Sequence, residues 1–127
     1  MIGILQGLKV LLLMLLVAGC SPFPKSVMQQ VDERLTFKEV QTTPDSFIGK
    51  KVLWGGVIIK TTNTPAETLM NIRQTNLDID TRPKDLDRSQ GRFLVRYGGF
   101  LDPAIYAEGR EITVFGEIRG KEDMAAD

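Results

Sequence analysis

Histidine is absent from this chain, and cysteine occurs once. Without imidazole, neither a Ser-His-Asp nor a Cys-His nucleophilic site can be assembled. With a single thiol, no internal disulfide can form. Net charge is missing too, because 16 Lys and Arg face 16 Asp and Glu. That balance excludes a strongly basic nucleic-acid binder on bulk electrostatics, so no nucleic-acid partner is expected. Long apolar runs are also scarce. The uninterrupted apolar run of the N-terminus, Val10 to Ala18, falls short of the roughly 20 residues that cross a bilayer core. What is present is ordinary. The chain has 127 residues, 43% hydrophobic and 25% charged, which suits one folded domain. A wholly disordered, collagen-like or polytopic membrane protein is therefore excluded.

The apolar residues crowd toward the N-terminus. Lys9 precedes Val10 to Ala18 (VLLLMLLVA), and small residues follow before a break. Met1 to Gly19 thus has the layout of a secretory signal peptide. The tetrad Val17-Ala18-Gly19-Cys20 resembles the bacterial lipobox, an aliphatic residue and two small residues before a Cys. That resemblance implies a diacylglyceride on the Cys20 sulfur, cleavage before Cys20 and acylation of the new amino terminus. The plainer alternative is a buried Cys ending a hydrophobic helix, and it requires a core helix to start at residue 2. Ser21 follows. By the sorting rule of Gram-negative lipoproteins, Asp at that place retains the protein at the inner membrane, so Ser21 reads as release to the outer membrane. Several acyl chains anchor firmly where one is marginal, at about 0.8 kcal/mol per buried CH₂.

Cleavage leaves residues 20 to 127, with 15 basic and 16 acidic side chains. Residues 20–34 are expected to be the lipidated Cys and a tether. Pro22 and Pro24 hold its start extended. Lys25 to Arg34 suits a short helical turn. Residues 35–127 are expected to form the β domain. Leu35 to Val40 (LTFKEV) alternates and reads as a strand. Pro44 to Gly49 reads as a turn. Lys51 to Ile59 (KVLWGGVII) is a strong strand, with a bulge or sharp bend at Gly55-Gly56. Thr68 to Thr75 pairs with it across Thr61 to Glu67. Asn76 to Gln90 is polar and reads as a long loop. Arg92 to Tyr97 and Arg110 to Arg119 are further strands, with Ile112, Val114 and Ile118 on one face.

Gly49 to Ile58 and Gly109 to Ile118 are similar to one another. Each has Gly, two charged residues, an aliphatic residue, an aromatic residue and Gly, then another aliphatic residue. Glycine within a strand allows tight coiling at a barrel corner. The expected fold class is therefore mainly β, a small OB-like, partly open β-barrel behind a lipoprotein signal peptide. Trp54, Val57, Phe93, Val95, Val114 and Phe115 are expected in the core or at its margins.

The block Gly91 to Pro103 (GRFLVRYGGFLDP), Tyr106 and Ile112 to Gly120 (ITVFGEIRG) resembles the Slp family of outer-membrane lipoproteins. Phe47-Ile48-Gly49, Val52 to Ile58 and the lipobox fit the same family. The resemblance implies a starvation- or stress-associated envelope lipoprotein without known catalytic residues. Family members usually continue into another strand, whereas this sequence stops at a polar end, Gly120 to Asp127. A shortened member or truncated reading frame is the expectation, and with it an open sheet edge prone to self-association.

Other features have bland readings. Asp78, Asp80, Asp85 and Asp87 are interleaved with Arg82, Lys84 and Arg88 and lack the central Gly and closing Glu of a calcium loop. A solvated loop is expected, with no metal and no cofactor. Arg92, Arg96 and Tyr97 could form a single-strand nucleic-acid surface on an OB-like sheet, which neutral charge and export oppose. Glu111 and Glu117 lie roughly 20 Å apart along a strand, too far for joint acid-base work. The expectation is a non-enzymatic lipoprotein at the outer membrane, on its periplasmic side, with a structural or interaction role. Its partners are the membrane and envelope proteins that the sequence does not name. The alternative is a periplasmic small-ligand or oligosaccharide-binding module.

Overall fold

A computed structural model describes residues 23–121. The anchor residues Val17, Ala18, Gly19, Cys20 and Ser21, and the tail beyond Lys121, lie outside the described residues. Helix α1 spans Lys25–Met28 and α2 spans Phe37–Thr42, and a 3-10 turn covers Pro44–Phe47. The strands are β1 (Lys51–Asn63), β2 (Thr68–Leu77), β3 (Pro83–Lys84), β4 (Arg92–Tyr97) and β5 (Glu111–Glu117).

β-branched and aromatic residues make β1 and β2 long, and the hairpin between them turns on Thr64. Its N–H donates to the Glu67 carbonyl at 2.8 Å, and its hydroxyl accepts from the Glu67 N–H at 3.1 Å. β1 is central and pairs antiparallel with β2 and β5. On its far side β2 pairs antiparallel with β4 along Thr68 to Arg73 and with the two-residue β3 beyond. The main path is therefore β4–β2–β1–β5. Among the described residues no ladder joins β4 to β5, so the sheet is mainly β and open, as expected, and does not close into a barrel.

Alternation fixes the faces. The register stacks Trp54 beside Val114, Gly56 beside Ile112, and Ile58 beside Ile72, with Phe93 beside Ile72 and Val95 beside Met70. These residues form the inner face. Its core has two parts. Val40, Val52 and Ile118 pack with Leu35, Phe47 and Trp54 at one end. Ile58, Met70 and Ile72 pack with Phe93, Val95, Leu101, Tyr106, Ile112 and Val114 at the other. Thr68, fully buried, ties the following loop to this second end. Its hydroxyl donates to the Gly99 carbonyl at 2.7 Å and accepts from the Leu101 N–H at 3.1 Å.

The structure corrects three expectations. Leu35 to Val40 is not a strand, because Thr36 caps helix α2. The Thr36 hydroxyl accepts from the Glu39 N–H at 3.1 Å, and the Glu39 carboxylate accepts from the Thr36 N–H at 3.3 Å. This capping box satisfies donors that a strand would have left to a neighbour. The bulge is not at Gly55-Gly56. Pairing runs in register through both glycines, and the shift falls between Ile58 and Lys60. Gly56 instead admits a close backbone approach, because a Cβ there would stand 2.0 Å from the Arg73 carbonyl oxygen. Val57 and Phe115 do not join Trp54, since unbroken alternation puts both on the outer face, Val57 beside Glu111 and Phe115 beside Leu53. Ahead of the sheet, the Asp32 N–H donates to the Lys51 carbonyl at 3.0 Å.

Candidate functional site: a cleft between two sheet edges

The curl of the sheet brings β4 and β5 to opposite sides of one cleft of about 830 Å³. Its floor is Val52 and Trp54 of β1, and α2 lines one end with Phe37, Val40 and Gln41. Every residue of β4 from Arg92 to Tyr97 borders it, as does β5 from Val114 onward. The helix comes close to the head of β4 at Gly91. A Cβ there would meet Gln41 Nε2 at 2.2 Å, and its φ of +142° is one that glycine accommodates.

Three rings form the heart of this region. Phe37 meets Trp54 edge-on at 4.9 Å between centroids, and Trp54 meets Phe93 at 5.3 Å. Phe37 and Phe93 are 6.1 Å apart. Each ring is a packing partner of the other two, which gives Trp54 and Phe93 the core role expected of them. Phe115 takes no part, because it is on the outer face.

The backbone of the two edges follows from the ladder. In antiparallel pairing, successive residues aim their N–H and C=O groups to alternate sides. Ile118 exchanges hydrogen bonds with Gly49 and Lys50 next to β1, so Ile112, Val114 and Gly116 also point at β1. Glu111, Thr113, Phe115 and Glu117 then aim theirs away from the sheet. Likewise, the Gly91 carbonyl accepts from the Gln74 N–H at 2.8 Å, so Phe93, Val95 and Tyr97 point at β2. Arg92, Leu94 and Arg96 aim theirs outward. Among the described residues, the outward backbone groups of Arg92 and Leu94 on one wall and of Glu111, Thr113, Phe115 and Glu117 on the other belong to no strand ladder.

Charge is distributed unevenly along the walls. Lys51 Nζ donates to Glu117 Oε1 at 2.7 Å, and Arg119 Nε lies 3.1 Å from Glu117 Oε2. The hydrogen bond from Lys51, then the positive charge of Arg119, holds the Glu117 carboxyl below its usual range. Across the cleft, Arg96 pairs with Glu67 of the β1–β2 turn.

The other candidates do not converge. Asp78 Oδ1 accepts from the N–H groups of Asp80 and Arg82 at 2.8 and 3.0 Å, so its loop is held by its own turn. Among the described residues no three His, Cys, Asp or Glu side chains come together as a metal site would require. Glu111 and Glu117 stand at opposite ends of β5. Composition gave no sign of the cleft. Its walls, residues 92–97 and 111–117, line one cleft only because β4 pairs with β2 instead of with the strand that follows it.

Fold and cleft together define a small, mainly β module whose sheet, among the described residues, is open between β4 and β5. Comparison with known proteins adds its class. A model of the outer membrane lipoprotein Slp family matches residues 17–127. The outer membrane protein Slp of Escherichia coli strain K12 is 33% identical over 119 residues, covering 92% of this chain and 63% of that protein. An uncharacterized protein of Haemophilus influenzae is 30% identical over 105 residues, covering 82% of this chain and 57% of its own length. The chain thus spans about three-fifths of the length of these relatives. No solved structure matches. This chain belongs to the outer membrane lipoprotein Slp family, and the outer membrane is its place.

Proposed function

We propose that this lipoprotein is held on the periplasmic side of the outer membrane by acyl chains on Cys20. Its β domain serves as a structural or interaction module, without catalysis of its own. The observation that carries the reading is the span of the family match, which starts at Val17, the first residue of the lipobox. A thiol is needed there because sulfur is the nucleophile that takes the diacylglyceride. Small residues ahead of it let the backbone enter the peptidase. The cleft fits an interaction role, since its walls offer backbone groups for pairing and its aromatic floor is already committed to packing. Expression under starvation or other stress belongs to the same reading, by kinship with the family that the sequence resembles.

The test is metabolic labelling with a fatty-acid analogue, comparing the parent with Cys20→Ser. The reading expects label in the parent and none in the variant, which should accumulate as precursor. Equal labelling of the two would overturn it.

A further inference from the structure

We propose that the groove beside α1 is a contact site for zwitterionic phospholipid headgroups of the leaflet that holds the acyl chains. The groove encloses about 650 Å³ and is lined by Lys25, Met28, Val31, Asp32, Glu33 and Arg34. This site rests on the anchor at Cys20 and adds to it a surface of the folded chain that touches the bilayer.

The covalent path from the anchor is short. Only Ser21 and Pro22 stand between Cys20 and Phe23. A fully extended chain covers at most about 3.6 Å per residue, so Phe23 is tied within about 11 Å of the acylated residue. Beyond Phe23 the chain has little slack. The Val27 N–H donates to the Pro24 carbonyl at 3.0 Å, that of Gln29 to the Lys25 carbonyl at 3.0 Å, and that of Val31 to the Met28 carbonyl at 3.3 Å. Asp32 is then bonded to Lys51, the first residue of β1, and Leu35 packs against the core. The groove lies on this stretch, so the anchor holds it beside the headgroups.

The charges of the groove are of both signs. Lys25 and Arg34 supply two cations, and Asp32 and Glu33 supply two anions. Arg34 Nε lies 3.7 Å from Asp32 Oδ1, yet the Arg34 side chain is 94% exposed, so its guanidinium keeps donors for a further acceptor. A phosphatidylethanolamine headgroup has the complementary pattern. Its phosphate accepts from Lys25 and Arg34, and its ammonium donates to Asp32 and Glu33. A purely anionic surface fits less well, because the two carboxylates would face phosphates with no ammonium between. Half-buried Met28 and Val31 supply the apolar part of the lining. Exposed ion pairs are weak in water. The anchor offsets this, since a short tether makes the contact intramolecular, at an effective concentration on the order of millimolar. Through Asp32 the contact holds the Lys51 end of β1 toward the bilayer, and the β1–β2 turn lies at the other end of that 13-residue strand.

The test uses the full lipidated chain, purified from membranes and reconstituted in vesicles of phosphatidylethanolamine and phosphatidylcholine. A fluorophore is placed on Gln29→Cys at the groove, or on Ala66→Cys in the β1–β2 turn. The vesicles carry a nitroxide on a fraction of their headgroups, and the chain without an added thiol supplies the background. The proposal expects strong quenching at position 29 and weak quenching at position 66. Lys25 and Arg34 are exposed, so replacing both by Gln keeps the fold, which far-UV circular dichroism checks. In that double variant, quenching at position 29 should fall to the level at position 66. It should also be weaker in vesicles of phosphatidylglycerol alone. Quenching at position 29 that the double variant leaves unchanged would overturn the proposal, because the tether by itself would then account for the proximity. So would equal quenching in the two kinds of vesicle. Flotation with the vesicles reports the anchor separately, and parent and double variant should float alike. A parent chain that does not float would overturn the anchor reading and this site with it. Flotation without quenching at position 29 would overturn the site alone.

Discussion

Replacing Gly56 by Ala tests the packing that shapes the cleft. A methyl group at Gly56 would lie 2.0 Å from the Arg73 carbonyl oxygen, 2.8 Å from its carbon and 2.9 Å from Ile72 Cγ2. An ordinary C···O contact is about 3.3 Å, so β2 must retreat by about 1 Å. It has nowhere to go cheaply, because Ile72 and Arg73 are paired with β1 on one side and β4 on the other. Overpacking costs about 1–3 kcal/mol and each weakened ladder bond about 1 kcal/mol, so a loss of about 3 kcal/mol is expected. For a domain of this size that lowers Tm by roughly 10–20 °C. Gly116→Ala is the control. Its added carbon would find only Val114 Cγ1, at 3.9 Å. It should be neutral or stabilise by about 0.5 kcal/mol through reduced freedom of the unfolded chain. The assay is thermal and urea unfolding of the full chain in detergent, followed by far-UV circular dichroism. If Gly56→Ala and Gly116→Ala unfold at the same midpoint, the close approach of β2 to Gly56 is wrong.

Thr36→Ala removes the cap of α2 and should destabilise by about 1 kcal/mol in the same urea assay, whereas Thr36→Ser should restore most of it. Glu117 has a depressed folded pKa, so its contribution is present above the ordinary glutamate range and disappears as pH falls through the lowered value. Lys51→Met should reduce that acid-side loss of stability, and identical pH profiles for parent and variant would refute the linkage. Ser21→Asp should move the protein from the outer- to the inner-membrane fraction of a density gradient, and an unchanged distribution would mean that Ser21 does not direct sorting.

Four of the five strands were legible because their residues leave little choice. Runs such as KVLWGGVII and REITVFGEIR combine β-branched, aromatic and alternating residues that suit a half-buried sheet. Leu35 to Val40 misled because Leu35 and Phe37 alternate like a strand, although Thr36 and Glu39 already carried the spacing of a capping box. The bulge near Ile59 has no local marker, and the glycines that drew attention four residues earlier serve a contact with β2. Long-range proximity was less legible still. Phe37, Trp54 and Phe93 are distant in sequence, and only the β4–β2 pairing puts them together. The proposed anchor motif, Val17 to Cys20, is a contiguous tetrad, so it could be proposed from sequence alone. The cleft could not, because it is a product of strand order.

The most direct measurement is the mass of the N-terminal peptide of protein purified from membranes. The account predicts a chain that begins at Cys20, with a diacylglyceryl group on sulfur and an acyl group on the new amino terminus. A chain that begins at Met1, or one that begins at an unmodified Cys20, would contradict it.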